Sequence, residues 1–390
     1  MCGIFGAVSS SHVHKDLIEG LSKLEYRGYD SAGLSLISKT NRIKRLRCTG
    51  KVVALKKLLA SHKLTGVCGI AHTRWATHGI PNIKNSHPHN YGDFSIVHNG
   101  IIENFDEIKN FLSKKSHKFS SDTDSEVIAH LLEYFTKKHG KLSDVLLNTF
   151  KKLKGSFALG IVYQKEPNKI IVASNGSPLL IGIGKNANYI SSDINALSSK
   201  TKKYISLEDN EFGIVSKDTI ELFNVKGKRI KRTPSVTKQS TNTITKNGYK
   251  HFMQKEIFEQ KDIITRVIKD KLGASKILPN IFGPQSDSML KSIKHVHFVA
   301  CGTSYNASLV AKYWIEEVSD IMCTAEIASE YRYRTINVPK DTLFVAISQS
   351  GETADTIYSL KKAKQSNYRS ILSICNVAES TITRLSDYSY

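Results

Sequence analysis

Long apolar runs are absent from this chain of 390 residues, and so are paired cysteine motifs. No run of about 18 uncharged apolar residues occurs, which argues against a helix that spans a membrane. The short apolar run at 4–8 has no lysine or arginine before it, so we expect no secretory signal. The hydrophobic share of 40% and the charged share of 23% are typical of a globular protein, and the length predicts two or three domains.

The six cysteines include no Cys-x-x-Cys pair, and in a chain of this length they do not resemble a disulfide framework. We therefore expect a reducing, cytoplasmic compartment. The formal net charge of +21 suggests a nucleic-acid partner, but only 12 of the 56 basic residues are arginine. The densest basic segment, 226–232, lies in a predicted loop without aromatic residues for base stacking. We predict neither a nucleic-acid nor a membrane partner.

The pattern of apolar residues divides the chain into two halves around a polar segment. The first half, to about residue 222, mixes short β-rich segments with helices. Residues 232–249 are rich in Thr, Ser, Lys and Asn and predict a linker, and an amphipathic helix follows at 251–272. Strands at 295–300, 342–347 and 370–375 then alternate with helices, which predicts a doubly wound parallel sheet. Residues 386–390 show neither a strand nor a cap pattern. We expect domains at 1–231 and 251–390, joined by a linker at 232–250.

Cys2 is the first candidate for chemistry, because the chain begins Met-Cys-Gly-Ile-Phe-Gly. If Met1 is removed, Cys2 carries both a thiol and a free α-amine. An α-amine has a pKa of about 7.7–8.0, so it can accept a proton near neutral pH and activate the thiol of the same residue. A buried terminal residue without a catalytic role is the alternative interpretation.

Further motifs follow Cys2 in a specific order. They are Glu-Tyr-Arg-Gly-Tyr-Asp-Ser-Ala-Gly at 25–33, Ala-His-Thr-Arg-Trp-Ala-Thr-His-Gly at 71–79, His-Asn-Gly at 98–100 and Ser-Asp-Thr-Asp-Ser-Glu at 121–126. In this order and at this spacing they resemble the class II glutamine amidotransferases, which are N-terminal-nucleophile (Ntn) hydrolases. Motifs at 251–260, 300–306 and 348–355 extend the resemblance to the glutamine–fructose-6-phosphate aminotransferase family. The resemblance implies an α/β and α+β chain, with an Ntn hydrolase αββα sandwich followed by a doubly wound, parallel-sheet SIS (sugar isomerase) domain.

The resemblance also implies roles for individual residues in the first domain. Cys2 would attack the side-chain amide of glutamine and release ammonia, with Asn99 and Gly100 forming the oxyanion hole. The residues that would bind glutamine are Arg74, Trp75, Thr77, His78 and Asp124. Three of these assignments have a simpler alternative: Arg74 as a surface cation, Asp124 as a helix N-cap, and Asn99-Gly100 as a tight hairpin turn.

Two strand–loop–helix junctions in the second half carry glycine and small hydroxyl residues. Such a junction presents free backbone N–H groups and a positive dipole end to an anion, although it can also serve only as a helix cap. The resemblance implies that fructose 6-phosphate binds there. Its contacts would be Thr303, Ser304, Ser348, Gln349, Ser350 and Thr353, and Cys301 would be a wall residue.

Five histidines of the first half suggest a metal, but they lack a His-Glu-x-x-His pattern and a supporting cluster of cysteine or carboxylate. They are His72, His78, His87, His89 and His98. We predict no metal and no cofactor. Asparagine synthetase would need a Ser-Gly-Gly-x-Asp-Ser loop and a phosphoribosyl amidotransferase an acidic diphosphate motif, and we find neither. A phosphosugar-sensing protein is the non-enzymatic alternative.

The resemblance also predicts what these 390 residues can complete. In the family a second SIS domain and a C-terminal tail carry the isomerase glutamate, a ring-opening histidine and a Schiff-base lysine. We expect the 390 residues to end inside the first SIS domain, and a homodimer for the full-length protein. A polypeptide of this length would then hydrolyse glutamine without making glucosamine 6-phosphate. Glu352 and Asp355 do not replace the missing groups, because we place both in the first turn of a helix.

Overall fold

The computed structural model describes residues 2–25, 28–76, 79–237, 248–269, 271–272, 277–278 and 280–390; the side chains of Phe252 and Arg266 are not described. The chain divides into two compact units, Met1–Thr241 and Asn242–Tyr390. Within the described ranges, no helix is both long enough and apolar enough to cross a membrane. All six cysteines are free thiols.

Two antiparallel sheets form the first unit. The larger sheet has, in spatial order, β15 (Ser235–Val236), β11 (Lys203–Ser206), β9 (Leu180–Ile183), β10 (Ala187–Ser191), β1 (Gly3–Ser9), β4 (Cys68–Arg74), β2 (Ser31–Ile37) and β3 (Ile43–Thr49). The smaller sheet has β14 (Arg229–Ile230), β13 (Ile220–Asn224), β12 (Glu211–Val215), β8 (Ile170–Asn175), β7 (Gly155–Tyr163), β6 (Phe94–Ile102) and β5 (His89–Tyr91).

The facing sides of the two sheets share one apolar core. Ile4, Ile70 and Ile190 of the larger sheet and Val97 and Val172 of the smaller sheet are all fully buried in it. Helices α1 (His14–Leu24) and α2 (Val52–His62) contact the larger sheet, and α3 (Phe105–Ser113), α4 (Glu126–Thr136) and α5 (Leu142–Lys152) share a core with the smaller one; α6 (Ile194–Ser198) contacts α1 and β10. The four layers are the predicted αββα sandwich.

Strand β1 lies in the interior of the larger sheet and fixes the position of Cys2, which directly precedes it. All seven of its residues are buried, and it is hydrogen-bonded to β10 on one side and to β4 on the other. Gly3 pairs with Thr73 in the antiparallel register with β4. Cys2 therefore lies next to the point where the chain leaves β4, at Arg74.

The second unit contains one parallel sheet with helices, as predicted. The strand order is β17 (Met322–Ile327), β16 (His295–Ala300), β18 (Thr342–Ser348), β19 (Ser370–Cys375) and β20 (Tyr388–Ser389). The helices are α7 (Phe252–Lys269), α8 (Ser286–Lys291), α9 (Thr303–Val318), α10 (Ala328–Tyr331), α11 (Ala354–Lys364) and α12 (Thr381–Leu385). The chain passes from β16 to one neighbour and then crosses to the other. This creates a switch point between β16 and β18, where ligands bind in open α/β sheets.

Three short strands lie in segments for which the sequence predicted a loop, a linker or no strand. The prediction of no strand at 386–390 is wrong, because the Tyr390 N–H donates to the Ser373 carbonyl oxygen at 2.8 Å and Tyr388–Ser389 form β20. The basic segment predicted as a loop contains β14, and the segment predicted as a linker contains β15. Residues 238–247 of that segment lie outside the described ranges. Two residues are too few to show an alternating pattern, so pairing partners alone define these strands.

Candidate active site

Cys2 lies against the backbone of the loop that follows β4. The Trp75 N–H donates to the Cys2 Sγ at 3.3 Å, and the Sγ lies 3.5 Å from the Trp75 carbonyl oxygen. Burial raises the pKa of the Cys2 thiol, although the Trp75 backbone and the Arg74 guanidinium partly oppose the rise. The thiol is therefore protonated at neutral pH, and a base must remove its proton before the sulfur can attack.

Asn99 lies beside Cys2, and Gly100 follows it in β6. The Asn99 Nδ2 donates to the Cys2 carbonyl oxygen at 3.1 Å. Both residues lie inside β6, where Asn99 pairs with Ala158, so the hairpin-turn interpretation is wrong. Gly100 has φ +132°, and a Cβ there would lie 1.9 Å from the Ser156 carbonyl oxygen. Only glycine fits this position without moving the strand.

Arg74 is buried, with 4% of its surface exposed, which excludes the interpretation as a surface cation. Its Nη2 donates to the Gly79 carbonyl oxygen at 3.2 Å. Burial lowers the pKa of the guanidinium, and the nearby Cys2 and Asp124 oppose that shift. An arginine remains charged at neutral pH after such a shift. The site thus places a buried cation and a buried acid near one thiol.

Asp124 supplies the acid, and it is not a helix N-cap. Helix α4 begins at Glu126 with Ser125 as its N-cap residue, and no side-chain hydrogen bond caps it. The Asp124 Oδ2 accepts a hydrogen bond from the Ile102 N–H at 2.8 Å, and its Oδ1 accepts one from the Ser125 hydroxyl at 3.3 Å. These contacts fix the carboxylate next to the end of β6.

The loop that follows β4 is held by the segment before β2. The Ala76 N–H donates to the Asp30 carboxylate at 2.8 Å. A Cβ on Gly28 would lie 2.8 Å from the Arg74 carbonyl carbon, so this glycine permits close contact between the two segments. The Trp75 ring meets the Tyr29 ring edge to face at 5.5 Å and remains 45% exposed. Thr77 and His78, predicted to bind glutamine, lie outside the described residues.

A group of buried histidines lies behind Asn99, and their role was not identified from the sequence. The His72 Nε2 is 3.0 Å from both the Asn99 Oδ1 and the His98 carbonyl oxygen. The His72 ring stacks on His87 at 4.2 Å, and His87 contacts His89 at 4.6 Å. Burial lowers the pKa of His72 and of His89 to about 3 and that of His87 well below its usual value. Among the described residues, no group of side chains could hold a metal ion.

The second candidate site lies at the switch point of the parallel sheet. Ala300 pairs with Ile347, so the loops that follow β16 and β18 lie side by side. The structure places Thr303 and Ser304 at the start of α9, Ser348 at the end of β18, and Gln349, Ser350 and Thr353 between β18 and α11. The Ser348 hydroxyl oxygen accepts a hydrogen bond from the Gly351 N–H at 3.0 Å. The N-termini of α9 and α11 both point their positive dipole ends toward this edge.

Two nearby residues differ from simple expectations. Glu352 precedes α11 rather than lying in its first turn, and its carboxylate accepts a hydrogen bond from the Thr381 N–H at 2.8 Å. Asp355 does lie in the first turn, and it also forms an ion pair with Arg332 at 3.2 Å. Burial raises the pKa of the Cys301 thiol. A protonated thiol fits a wall residue better than a nucleophile.

Comparisons with known proteins give matches to both parts of the chain. The family model "Glutamine amidotransferase domain" matches residues 72–199, and the model "SIS domain" matches residues 289–390. The chain is 44% identical over 388 residues to a glutamine–fructose-6-phosphate aminotransferase (isomerizing) of Legionella pneumophila (strain Lens), covering 99% of this chain and 64% of the relative. It is 47% identical to the enzyme of that name from Francisella tularensis, covering 100% of this chain and 64% of that relative.

One solved structure is similar to this chain in fold. Glutamine phosphoribosylpyrophosphate amidotransferase from B. subtilis matches with a TM-score of 0.52 and 18% identity, covering 96% of this chain and 81% of that chain. At this identity the match supports the fold alone. The chain spans 64% of the length of the curated relatives that it matches.

Proposed function

We propose that this chain, a homologue of the glutamine–fructose-6-phosphate aminotransferases with a glutamine amidotransferase domain and a SIS domain, takes part in the glutamine-dependent conversion of fructose 6-phosphate to glucosamine 6-phosphate. Its own glutaminase site hydrolyses glutamine and releases ammonia. The observation that carries the proposal is the position of Cys2. Its Sγ accepts a hydrogen bond from the Trp75 N–H at 3.3 Å, and its carbonyl oxygen accepts one from the Asn99 amide at 3.1 Å.

The reaction begins with proton transfer, because the Cys2 thiol is protonated at neutral pH. Once Met1 is removed, the α-amine of Cys2 accepts the thiol proton, and the Sγ attacks the side-chain carbonyl carbon of glutamine. The Asn99 Nδ2 and the Gly100 N–H donate to the oxyanion that forms. The C–N bond then breaks, and the protonated α-amine of Cys2 gives its proton to the leaving nitrogen, which departs as ammonia. Water hydrolyses the resulting thioester to glutamate and regenerates the thiol.

Charge complementarity selects an α-amino acid as the substrate. The Arg74 guanidinium can bind the α-carboxylate of glutamine through two parallel hydrogen bonds, and the Asp124 carboxylate can accept hydrogen bonds from the α-ammonium. Both groups are buried, with 4% of each residue exposed, so the site excludes most of the water that would screen them. We also propose roles in glutamine binding for Trp75, Thr77 and His78, the last two on the resemblance alone.

The switch point of the parallel sheet binds the phosphosugar in this proposal. Fructose 6-phosphate places its phosphate against the starts of α9 and α11, with Thr303, Ser304, Ser348, Gln349, Ser350 and Thr353 as hydrogen-bonding partners. Neutral donors suffice because the helix ends supply the positive field. The reaction needs no cofactor, takes place in the cytoplasm and involves a homodimer at full length.

Two measurements on the purified chain test the proposal. A coupled assay should show glutamate and ammonia released from glutamine in equal amounts, and calorimetry should show binding of fructose 6-phosphate. Sugar binding without any glutamine hydrolysis would support a phosphosugar sensor instead. Glutamine hydrolysis without sugar binding would indicate another class II amidotransferase.

Replacing Arg74 by lysine is expected to reduce kcat/KM for glutamine by about 10- to 100-fold, since a charge-assisted hydrogen bond contributes roughly 1.5–3 kcal/mol. A lysine keeps the charge but cannot form two parallel hydrogen bonds to a carboxylate. The loss should appear mainly in KM. Arg229→Lys, on the short strand β14, is the matched control and should leave kcat/KM unchanged. An unchanged value for Arg74→Lys would remove this residue from the site.

Ser348→Ala is expected to weaken the binding of fructose 6-phosphate by roughly tenfold, the effect of losing one hydrogen bond to a charged group. The substitution also removes the acceptor of the Gly351 N–H, which shapes the loop. Calorimetric titration measures the change. Ser366→Ala, which removes a hydroxyl bonded to the Lys362 carbonyl oxygen in α11, is the control. Equal affinity in both variants would place the phosphate elsewhere.

A further inference from the structure

We propose that His72 is a positioning residue for glutamine hydrolysis, because its Nε2–H holds the Asn99 side-chain amide with the NH₂ group toward Cys2. The inference rests on the proposed glutaminase function and adds a residue to its oxyanion hole. His72 does not contact the reacting atoms in this account. It acts through Asn99.

The Nε2 of His72 carries the proton of the neutral ring. Its Nε2 lies 3.0 Å from the backbone carbonyl oxygen of His98, an atom that can only accept a hydrogen bond. The Nε2 must therefore carry a hydrogen. In the neutral imidazole the Nδ1 then has none, and the His72 Nδ1 is buried without a hydrogen-bond partner among the described side chains and backbone.

The His72 proton also fixes the orientation of the Asn99 amide, whose oxygen and nitrogen could otherwise exchange places by rotation. The His72 Nε2 lies 3.0 Å from the side-chain atom of Asn99 that faces it, and its hydrogen is shared with that atom. An NH₂ group in that place would set donor against donor, so the oxygen must face His72. The Nδ2 consequently faces the opposite side, where it donates to the Cys2 carbonyl at 3.1 Å. One of its hydrogens is used there, and the second can serve the oxyanion.

The His72 side chain, which supplies the Nε2–H donor, is held rigidly. His72 is 1% exposed and lies in the interior of β4, between β1 and β2. Its ring stacks on His87 at 4.2 Å with the planes 19° apart. Burial lowers the pKa of His72 to about 3, so the ring remains neutral across the working range of pH and its tautomer does not change.

Strand β4 then has two functions at once. Residues two apart in a strand project from the same face. His72 and Arg74 are so related, and Arg74 is the proposed partner of the glutamine carboxylate. Strand β4 therefore sets both the orientation of the Asn99 amide, which serves the oxyanion, and the position of the Arg74 guanidinium, which binds the substrate carboxylate. A rigid buried strand is well suited to hold such groups within a small tolerance.

The test compares three variants by steady-state glutaminase kinetics. His72→Leu should lower kcat by about 100-fold with little change in KM, since the loss of one oxyanion donor costs roughly 10²–10³ in kcat. His72→Gln places an N–H about as far from the backbone as the histidine Nε2, so its kcat should be at least tenfold higher than that of His72→Leu. The asparagine of His72→Asn is polar but too short to reach Asn99, so the kcat of this variant should stay as low as that of His72→Leu. If His72→Leu does not fold, the difference between the Gln and Asn variants decides the question.

A double-mutant cycle separates a role through Asn99 from general damage to the core. Asn99→Ala alone should lower kcat, and adding His72→Leu should cause no further fall, because the two residues act through one group. His130→Leu, which removes another fully buried histidine, controls for loss of core packing and should change thermal stability rather than kcat. Additive losses, or equal kcat in the Gln and Asn variants, would overturn the inference.

The same data distinguish failure of this inference from failure of the proposed function. If Cys2→Ala retains activity, the glutaminase proposal is wrong and the cycle does not apply to it. If Cys2 is essential but Asn99→Ala has normal kcat, the oxyanion assignment is wrong, and the inference about His72 is wrong with it. If both are essential and His72→Leu is as active as the unchanged protein, only the role of His72 is wrong.

Discussion

Cys2→Ala is expected to lower kcat for glutamine hydrolysis by roughly 10⁴-fold or more, the scale seen when a covalent nucleophile is removed. No other described thiol can replace it, because the site is built around the Sγ, with the Trp75 N–H at 3.3 Å and Asn99 and Arg74 close by. The fold should survive, since β1 packs through buried residues such as Ile4 and Phe5. Glutamate release and thermal unfolding measure the two effects.

Cys48→Ala is the matched control for this change. It makes the same substitution in the same sheet, at a partly buried thiol that donates to the Ala32 carbonyl oxygen at 3.6 Å. Activity should remain within about twofold of the unchanged protein, as for surface substitutions away from special features. Comparable losses in both variants would show that the effect arises from folding and not from nucleophilic chemistry.

Gly100→Ala is expected to lower kcat by about 100-fold or more, because it displaces both donors of the proposed oxyanion hole. A Cβ would lie 1.9 Å from the Ser156 carbonyl oxygen, and φ +132° is a conformation that alanine rarely adopts. Strand β6 must shift away from β7 at this point, and the neighbouring Asn99 amide moves with it. Binding of glutamine through Arg74 and Asp124 should suffer less, so KM should change less than kcat.

Gly227→Ala provides the comparison for the backbone strain alone. This glycine also has a positive φ, +77°, but a Cβ there would meet only Leu147 at an ordinary 3.5 Å. The substitution should reduce stability by about 1 kcal/mol without changing kcat. If Gly100→Ala behaves in the same way, the Gly100 backbone does not form part of the oxyanion hole.

The sequence indicates candidate residues for the site, but it does not indicate how their strands are arranged. Cys2, Arg74 and Asn99 are recognisable from motif order, yet no spacing rule shows that their strands meet. The antiparallel pairing of β1 with β4 brings Cys2 to Arg74, and the face-to-face packing of two sheets brings Asn99 to Cys2. Such contacts are non-local and depend on sheet order, which periodicity does not encode.

Local signals were ambiguous where two structures share one sequence pattern. Asn-Gly is the strongest short hairpin signal, but here Asn99 and Gly100 continue a nine-residue strand. The positive φ that favours Gly100 serves close contact with Ser156 rather than a turn. Three of the histidines that suggested a metal, His72, His87 and His89, are packed against each other, and burial lowers the pKa of each. Burial decides between these interpretations, and burial is a property of the folded sheet.

The second half was predicted well, because alternating strands and helices give a strong pattern. Strands β16 and β19 begin and end at the predicted residues. The strand order, which places the switch point between β16 and β18, was not predictable from that pattern. Strand β20 depends on a few non-local backbone hydrogen bonds to β19, such as Tyr390 N–H to the Ser373 carbonyl oxygen, and the Glu352 carboxylate accepts a hydrogen bond from the Thr381 N–H.

The most direct test of the central claim is to identify the atom that reacts with glutamine. The purified chain is treated with a glutamine analogue that carries an electrophile at its side-chain carbonyl position, and the adduct is mapped by peptide mass spectrometry. The account predicts one adduct on the Cys2 sulfur, on a peptide that begins at Cys2 with a free α-amine, and protection of that site by glutamine. An adduct on another residue, or full activity in protein that retains Met1, would contradict it.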